Sequence, residues 1–468
     1  MKDVKQEVEK EEVTQAIDEF EDKKKPQLTE SAVPTTQIGR MYHYGALFGG
    51  IGLGVVSEAM KRGLGISKAA EGESLILSEA NVNRIAEKLS KMRGAAQKLG
   101  QVLSIQDSNV LPPHVEKVLF KVQNAGSCMP QYQLRKVLEK SWGDDWLSKF
   151  QSFEFEPVAA ASIGQVHRGV LIDGTRVAVK VQYPGVAKSI DSDLKSLSLI
   201  LTASSILPKG LYLEKSIQAA RKELGWETDY LREAHYIKAF NGELANNSDY
   251  YTPKLIEELS SDMVLTMEWI PGMPLSEAIH LDQVAKDRIG DLVFKLCLME
   301  LFQFKFMQTD PNWTNFLYDP SSEKLGILDF GASRDFDDEF LSNYLKVLIC
   351  AAKGDREGCL KYSYDLGYLT GDETLAMKEA HVDSIVILAE PFQKPGLYNF
   401  TGQTITARVK DKIPLMIQSR LTPPPEQTYS LHRKLSGVFL LCARMNAKVD
   451  CHKLFWDAVK EAKVNIKE

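Results

Sequence analysis

The sequence predicts an α+β fold with two lobes, and three features indicate it. Residues 151–185 alternate apolar and polar side chains, and the turn "IDGT" at 172–175 separates two β-rich runs, as in a hairpin. A further β-rich run, "DMVLTMEWI", occupies residues 262–270, and after Pro271 the pattern is almost wholly helical. We therefore expect a small antiparallel sheet in an N-lobe, residues 151–272, a helical C-lobe, residues 273–468, and a cleft between them.

Charge and cysteine usage narrow the functional class. The 468 residues carry 57 Lys and Arg against 63 Asp and Glu, a net charge of −6. Domains that bind nucleic acid are usually basic, so nucleic acid is not expected as a partner. The six cysteines are scattered without a CxxC pair, which indicates buried free thiols in a reducing compartment.

The first 66 residues form two segments of different composition. Residues 1–37 are charged and poor in large apolar side chains, so we expect a disordered tail. This tail is rich in acid, unlike a mitochondrial presequence. Residues 38–66 are apolar and glycine-rich, and 41–57 contain no formal charge. Two interpretations stay open for this second segment: packing on the body of the protein, and peripheral or partly inserted contact with a membrane.

Residues 78–150 predict a helical extension. Apolar residues between positions 82 and 103 recur at three- and four-residue spacing and form one buried stripe. Gly94, Lys98 and Gln101 fall on the opposite side of this helix, so the pattern alone directs Lys98 to water. Gly94 lowers helix stability there and would allow another segment to come close.

Between the extension and the C-terminus, five short motifs occur in the order of a protein-kinase-like site. The first has the pattern AxAxxGxV in place of a glycine-rich loop, its fixed positions being Ala159, Ala161, Gly164 and Val166. Lys180 follows in "VAVK" and would neutralise phosphate oxygens. The third motif, "MEWI", ends a predicted strand, where the carbonyl of Glu268 and the N–H of Ile270 would bind adenine.

The last two motifs carry acids and an amide. Asp310 precedes Asn315 by five residues, and Asp329 begins "DFG". Asn315 and Asp329 offer the hard oxygen ligands that Mg²⁺ prefers. Asp310 stands where a catalytic base would accept a hydroxyl proton or orient a water.

The sequence departs from the protein-kinase pattern before Asp310 and after the DFG motif, and these differences bear on the kind of substrate that the protein accepts. Gln308 and Thr309 replace the His and Arg that usually precede the catalytic Asp, and no APE follows DFG. The residues after Gly331 run directly into a helical pattern, which leaves little length for a segment that grips a peptide. Protein substrates are therefore disfavoured.

Several strings together resemble the UbiB family of atypical kinases, also called the ADCK family. They are "KLGQ" (98–101), "AAAS" (159–162), "VAVKVQYPGV" (177–186), "WETDYLREA" (226–234), "TDPNWTNFLYD" (309–319), "LDFGASR" (328–334) and "PPPEQTYSLHRKLSGVFLLCARM" (423–445). The resemblance extends from about residue 38 to the end and is strongest to the fungal mitochondrial coenzyme Q branch. It implies a protein-kinase-like bilobal fold, with the helical KxGQ extension packed across the cleft.

The resemblance also implies roles for single residues. Lys180 is similar to the ATP-binding lysine, Asp310 to the catalytic Asp, and Asn315 and Asp329 to the Mg²⁺ ligands. Nucleotide contacts are implied for the loop and the hinge, residues Ala159, Ala160, Ala161, Ser162, Met267, Glu268, Trp269 and Ile270. The regulatory KxGQ motif consists of Lys98, Gly100 and Gln101.

The acids expected near Lys180 are those of the ExD motif and the one that follows it, Glu227, Asp229 and Glu233. We choose Glu227 as the catalytic partner of Lys180, with Asp229 pointing elsewhere because residues i and i+2 do not share a helix face. In the family the KxGQ helix brings its lysine toward the ExD acids and occupies the space of a peptide substrate. That arrangement reverses the water-facing interpretation of Lys98.

The function implied is a Mg-ATP-dependent ATPase or small-molecule, lipid-type kinase required for coenzyme Q biosynthesis and for the stability of its biosynthetic complex. Expected partners are coenzyme Q biosynthetic proteins, lipid or quinone-precursor molecules and the matrix side of the inner mitochondrial membrane, with a homodimer left open. The alternative is a nucleotide-binding pseudokinase scaffold, and a Ser/Thr protein kinase is disfavoured. Alanines in the loop carry Cβ atoms that stiffen it. We hypothesise that they, with Lys98, suppress transfer to protein hydroxyls.

Overall fold

The computed structural model describes residues 29–32, 39, 45–46, 49, 94–95, 98, 127–203, 213–310 and 312–462. Most of the predicted membrane-contact segment 38–66 lies outside the described residues. So do Gly100, Gln101 and most of the extension before residue 127. Within the described residues, no helix combines the length and the hydropathy needed to cross a bilayer.

The described part of the chain contains short strands and longer helices. The strands are β1 Thr29–Glu30, β2 Ser127–Cys128, β3 Phe150–Phe153, β4 Ala159–Ala160, β5 Gly164–Leu171, β6 Arg176–Gln182, β7 Tyr250–Tyr251, β8 Val264–Glu268, β9 Met273–Pro274, β10 Phe306–Gln308, β11 Phe316–Asp319, β12 Lys324–Ile327, β13 Ser333–Asp335, β14 Tyr398–Asn399 and β15 Lys448–Val449. The helices are α1 Gln131–Trp142, α2 Val186–Ala203, α3 Leu213–Glu227, α4 Tyr230–Leu244, α5 Gln283–Met299, α6 Asp338–Lys353, α7 Arg356–Asp365, α8 Leu375–Leu388, α9 Glu390–Gln393, α10 Ile405–Ser419, α11 Glu426–Arg444 and α12 Cys451–Glu461.

Two compact units make up the chain. The sheet unit comprises Glu21–His235 and Lys254–Trp269, and the helical unit contains Tyr236–Pro253 and Ile270–Glu468. The change at Ile270 comes close to the predicted lobe boundary, but 236–253 belongs to the helical unit rather than to the N-lobe. The cause is the ring of Phe240, which packs against three rings of the helical unit, those of Phe304, Phe306 and Phe330.

An antiparallel sheet with the order β3-β5-β6-β8 forms the sheet unit, and β4 pairs with β5 beside it. The predicted hairpin is confirmed, since the N–H of Leu171 donates to the carbonyl of Thr175 at 2.9 Å. Asp173 accepts the N–H of Thr175, and Gly174 has a φ of +86°, which favours glycine. The turn residues therefore fix the register of the two longest strands.

Residues 213–244 form two helices, although the sequence pattern over this range predicts one continuous helical segment. Helix α3 ends at Glu227 and α4 begins at Tyr230, so Thr228 and Asp229 lie between two helices. The side-chain amide of Gln182 donates to the carbonyl of Thr228 at 2.9 Å, and Asp229 accepts the N–H of Arg232 at 3.0 Å. Asp229 thus acts as a cap for α4 and does not continue α3.

Two expectations about the N-terminal third need correction. Thr29 and Glu30 pair in parallel with Ser127 and Cys128, so these tail residues are ordered by backbone hydrogen bonds that composition cannot reveal. Gly94 has a φ of +54°, which does not occur inside a right-handed helix. The uninterrupted helix predicted through Gly94 is therefore wrong at this residue.

A buried polar network joins the segment before α1 to β5. The N–H of Met129 donates to Oε1 of Gln165, whose amide nitrogen donates to Nε2 of His167. Nδ1 of His167 then donates to the carbonyl of Glu154. Burial lowers the pKa of His167 to about 4, so the ring is neutral and this tautomer satisfies both nitrogens.

Short strands in the helical unit correct the expectation of an almost wholly helical C-lobe. β11 and β12 form an antiparallel hairpin, flanked by β9 and β7, and β10 pairs with β13. Each has at most four residues, which is too short for a period of two to be visible in the sequence. All six cysteines are free and buried, as predicted.

Gly164 provides a test of how tightly the alanine loop, residues 159–164, packs against its neighbours. A Cβ at this residue would lie 2.5 Å from the carbonyl oxygen of Val181 and 2.9 Å from the hydroxyl of Tyr230. We expect Gly164→Ala to lower the free energy of unfolding by about 1–3 kcal/mol, because backbone must move. Urea denaturation measures it. Gly225→Ala is the matched control, since nothing lies within 4 Å and alanine favours a helix; equal loss in both variants would contradict the account.

Candidate active site

Lys180 and Glu233 form a buried ion pair in the sheet unit. Lys180 lies on β6, and its Nζ donates to both carboxylate oxygens of Glu233 on α4 at 2.9 Å. Glu233 is 0% exposed, and the ring of Tyr230 lies 5.4 Å from Nζ. A bidentate, charge-assisted contact of this kind holds the ammonium in one position.

The prediction that Glu227 is the partner of Lys180 is wrong. Glu227 is the last residue of α3, whereas Glu233 lies in the first turn of α4 beyond the break. The two acids therefore belong to different helices and face different lysines. Sequence reasoning treated 226–234 as one helix and could not separate them.

Lys98 is the second lysine, and it is buried among acids rather than solvated. Its side chain is 6% exposed, and Nζ lies 2.5 Å from Oε1 of Glu227 and 2.9 Å from Oε2 of Glu223. Glu223 was not among the predicted site residues. Its spacing of four from Glu227 places both acids on one face of α3, and this was the signal that could have found it.

The tip of the alanine loop is tied to the same acids. Ala159 and Ala160 are in β4, and the N–H of Ala161 donates to the carbonyl of Gly164 at 2.8 Å. Ser162 lies at the tip: its hydroxyl donates to Oε2 of Glu227 at 3.1 Å, and its carbonyl accepts the N–H of Gly94 at 2.8 Å. The loop is thus a hydrogen-bonded hairpin held by the KxGQ segment and α3.

The predicted hinge residues follow directly from β8. Met267 and Glu268 are the last strand residues, and the N–H of Trp269 donates to the carbonyl of Arg176 at 2.8 Å. The guanidinium of Arg168 lies 4.8 Å from the ring of Trp269. Ile270 is buried. The hinge backbone is therefore held up to Trp269 by pairing with β6 and its turn.

Asp310 and Asn315 form one hydrogen-bonded turn in the helical unit. Oδ2 of Asp310 accepts the side-chain amide of Asn315 at 3.0 Å, and Oδ1 accepts the N–H of Asn312 at 3.2 Å. Asn312 in turn accepts the N–H of Thr314. Since the amide nitrogen of Asn315 points to Asp310, its oxygen is the atom presented to a cation.

Asp329 is brought beside this turn by the β11–β12 hairpin. Phe316 pairs with Ile327, and the next N–H along, that of Leu328, donates to the carbonyl of Asn315 at 2.9 Å. Oδ1 of Asp329 accepts the N–H of Gly331 at 2.9 Å. The hairpin therefore places the two predicted metal ligands at neighbouring positions of the same edge.

Behind Asp310 lies a fully buried pair of charges that sequence reasoning missed. Nζ of Lys434 lies 3.5 Å from Glu300, and both side chains are 1% exposed. Gln308 joins them, because its N–H donates to Glu300 at 3.2 Å and its Oε1 accepts from Lys434 at 3.1 Å. Burial raises the pKa of Glu300, while Lys434 acts to lower it. A charged residue inside each of two apolar helical runs was the available signal.

The fold is protein-kinase-like, and comparison with known proteins identifies the family of kinase-like proteins to which the chain belongs. The ABC1 atypical kinase-like domain matches residues 121–363. The Saccharomyces cerevisiae protein named atypical kinase COQ8, mitochondrial, is 49% identical over 93% of this chain and 87% of its own length. Rat atypical kinase COQ8B, mitochondrial, is 48% identical over 92% of this chain and 83% of its own length. The chain belongs to the ABC1 atypical kinase-like family, so the predicted family and the enzyme class of atypical kinase or ATPase are confirmed.

A solved structure supports the fold. A Mycobacterium tuberculosis protein, Rv3197 in complex with erythromycin, matches with a TM-score of 0.56 and 25% identity over 80% of this chain and 95% of its own. The Schizosaccharomyces pombe atypical kinase COQ8 is 49% identical over 92% of this chain and 71% of its own length, and it too is named mitochondrial. The mitochondrial location implied by the resemblance is thereby confirmed.

Removal of Lys98 tests how the loop tip is held. We expect Lys98→Met to remove the ammonium that contacts both Glu223 and Glu227, so that the two carboxylates repel each other and the hydrogen bond from Ser162 to Glu227 weakens. Amide hydrogen exchange in residues 159–164 should then be about tenfold faster. Lys188→Met, at an exposed lysine of α2, is the control. Unchanged exchange in the Lys98 variant would show that the loop does not depend on this pair.

Proposed function

We propose that this protein is a Mg-ATP-dependent atypical kinase or ATPase whose phosphoryl acceptor is water or a small lipid-type molecule, and that it acts in coenzyme Q biosynthesis. The observation that carries the proposal is the Lys180–Glu233 pair. A buried ion pair costs desolvation energy and adds little stability, so the presence of this pair favours a role for the ammonium. Binding the phosphates of ATP is such a role.

The residues of the helical unit fit a magnesium ion. One carboxylate, Asp329, and one amide oxygen, Asn315, are hard ligands at neighbouring positions, which suits an ion that keeps several waters and phosphate oxygens. When bound, Mg-ATP supplies the phosphoryl group and the metal neutralises the charge on its oxygens. Asp310 would accept the proton of the acceptor hydroxyl or orient a water, and its bond to Asn315 couples its orientation to the metal ligand.

A small acceptor is favoured over a protein. Only residues 332–337 separate Gly331 from helix α6, and Ser333–Asp335 are paired with β10. This leaves no free segment there to align a peptide. The tip of the alanine loop is held by Glu227 and Gly94, which restricts its closure over phosphates in the manner of a glycine-rich loop.

The assignment to coenzyme Q biosynthesis is supported by the similar proteins and by the sequence motifs. Proteins named COQ8 cover most of this chain at nearly half identity. Coenzyme Q biosynthetic proteins, quinone precursors and the matrix side of the inner mitochondrial membrane are the partners that this assignment favours. Membrane contact by residues 38–66 and a homodimer stay predictions.

A pseudokinase scaffold is the second candidate, favoured by the hydrogen bonds that hold the loop tip. It would bind nucleotide through Lys180 without needing Asp310. Transfer of label from γ-labelled ATP to water, protein or extracted lipid, with quinone precursors and liposomes present, separates the two.

We expect label in water or lipid, and an Asp310→Asn protein to transfer it about 100-fold more slowly, because an amide cannot take up the proton and can accept only one of the two hydrogen bonds that Asp310 accepts. Its nucleotide affinity should change little, because Lys180 remains to bind the phosphates. Asp365→Asn, at an exposed residue of α7, is the matched control and should transfer label at the wild-type rate. Wild-type transfer by the Asp310 variant, with full restoration of quinone production in cells, would favour the scaffold.

A further inference from the structure

The buried ion pair of Glu300 and Lys434 contacts the segment from Gln308 to Phe316, which contains Asp310 and Asn315, at two places. The ammonium of Lys434 binds Oε1 of Gln308, two residues before Asp310. It also lies 5.1 Å from the ring of Phe316, the residue directly after Asn315. One ammonium therefore touches both ends of the turn that carries the catalytic Asp and a metal ligand.

Glu300 adds a contact to the backbone of the same segment. It is the first residue of a π-helical turn, Glu300–Phe304, that ends α5. Such turns are rare and frequently occur at functional sites. From there its Oε1 accepts the N–H of Gln308, while its other oxygen faces Lys434. Backbone and side chain of Gln308 are thus both bound by the ion pair.

The neighbouring residue is fixed in a separate way. The hydroxyl of Thr309 donates to the carbonyl of Ala332 at 2.7 Å, and Arg433 donates to that hydroxyl at 3.5 Å. Gln308 and Thr309 stand where protein kinases carry His and Arg. Two adjacent residues of α11 therefore contact the two residues that replace the protein-kinase His and Arg. Lys434 binds Gln308, and Arg433 binds Thr309.

We propose that Lys434 and Glu300 are positioning residues for the turn from Asp310 to Asn315, acting through Gln308 and Phe316. The inference rests on the proposed function, because it concerns the geometry of the same catalytic turn. A core pair with no such role would be better replaced by apolar side chains, since burial of two charges is costly. Its contacts at both ends of one functional turn give the reason for keeping it.

The test removes both charges together, so that no buried charge is left alone. In the variant Glu300→Gln with Lys434→Met, kcat for ATP hydrolysis should fall about tenfold or more, because small displacements of a catalytic group are costly in rate. KM for ATP should change less than about threefold. The affinity of Mn²⁺, used in place of Mg²⁺, for the ADP complex should fall about fivefold by electron paramagnetic resonance, since Asn315 moves with the turn.

Ser363→Ala is the control for a purely structural loss. Its buried hydroxyl donates to the carbonyl of Cys359 and contacts His381, so the change should lower Tm and leave kcat unchanged well below Tm. A double variant that folds with wild-type kcat and Mn²⁺ affinity overturns the proposal. If the double variant does not fold, Gln308→Met decides the question with the ion pair intact: a tenfold loss of kcat supports positioning, and wild-type kcat refutes it.

Failure of the proposed function gives a different result. A wild-type protein that transfers no phosphate to water or lipid would refute the proposed acceptor, whereas the Mn²⁺ measurement needs no turnover and still judges the positioning role. Because Lys434 acts through Gln308, adding Gln308→Met to the double variant should deepen the loss far less than the product of the separate effects. Independent, multiplying losses would overturn the proposed route.

Discussion

The two-residue break at Thr228 and Asp229 is the constraint on which the sheet unit depends. It ends α3 at Glu227 and starts α4 at Tyr230, so two sets of acids face two different lysines. Glu223 and Glu227 bind Lys98 of the KxGQ motif, and Glu233 binds Lys180. If α3 and α4 were one continuous helix, the side chains of Glu227 and Glu233 would point in different directions relative to each other than they do in the structure. The break is held by Gln182, which belongs to the same strand as Lys180.

In the helical unit, the functional side chains are held by hydrogen bonds between residues close to one turn, the turn from Asp310 to Asn315. The side chains of Asp310 and Asn315 are joined by a hydrogen bond, and Asp310 and Asp329 each accept a backbone N–H. The ion pair of Glu300 and Lys434 contacts Gln308 and Phe316 on either side of the turn from Asp310 to Asn315. Each contact is modest in energy when taken alone. Together they fix the direction of each functional side chain, which matters more for catalysis than for stability.

The order of motifs was readable from the sequence because kinase-like sites place each residue type at a defined point along the chain. Lys180, Asp310, Asn315 and Asp329 could therefore be assigned to motifs, and the hairpin at 172–175 followed from its turn residues. The partner of Lys180 could not, because Thr228 and Asp229 are capping residue types that also occur inside helices, so "WETDYLREA" alone does not show that one helix ends and another begins there. Glu300 and Lys434 were missed for a similar reason: a pattern shows that a charge is buried but not what it meets.

The central claim is that Glu233, and not Glu227, holds the lysine that binds nucleotide. Isothermal titration of Mg-ADP into Glu233→Gln and Glu227→Gln tests it with two changes of the same size and charge. We expect the Glu233 variant to bind at least about tenfold more weakly, a loss of about 1.4 kcal/mol. The Glu227 variant should keep wild-type affinity or exceed it. Weakened binding in the Glu227 variant alone would contradict the account.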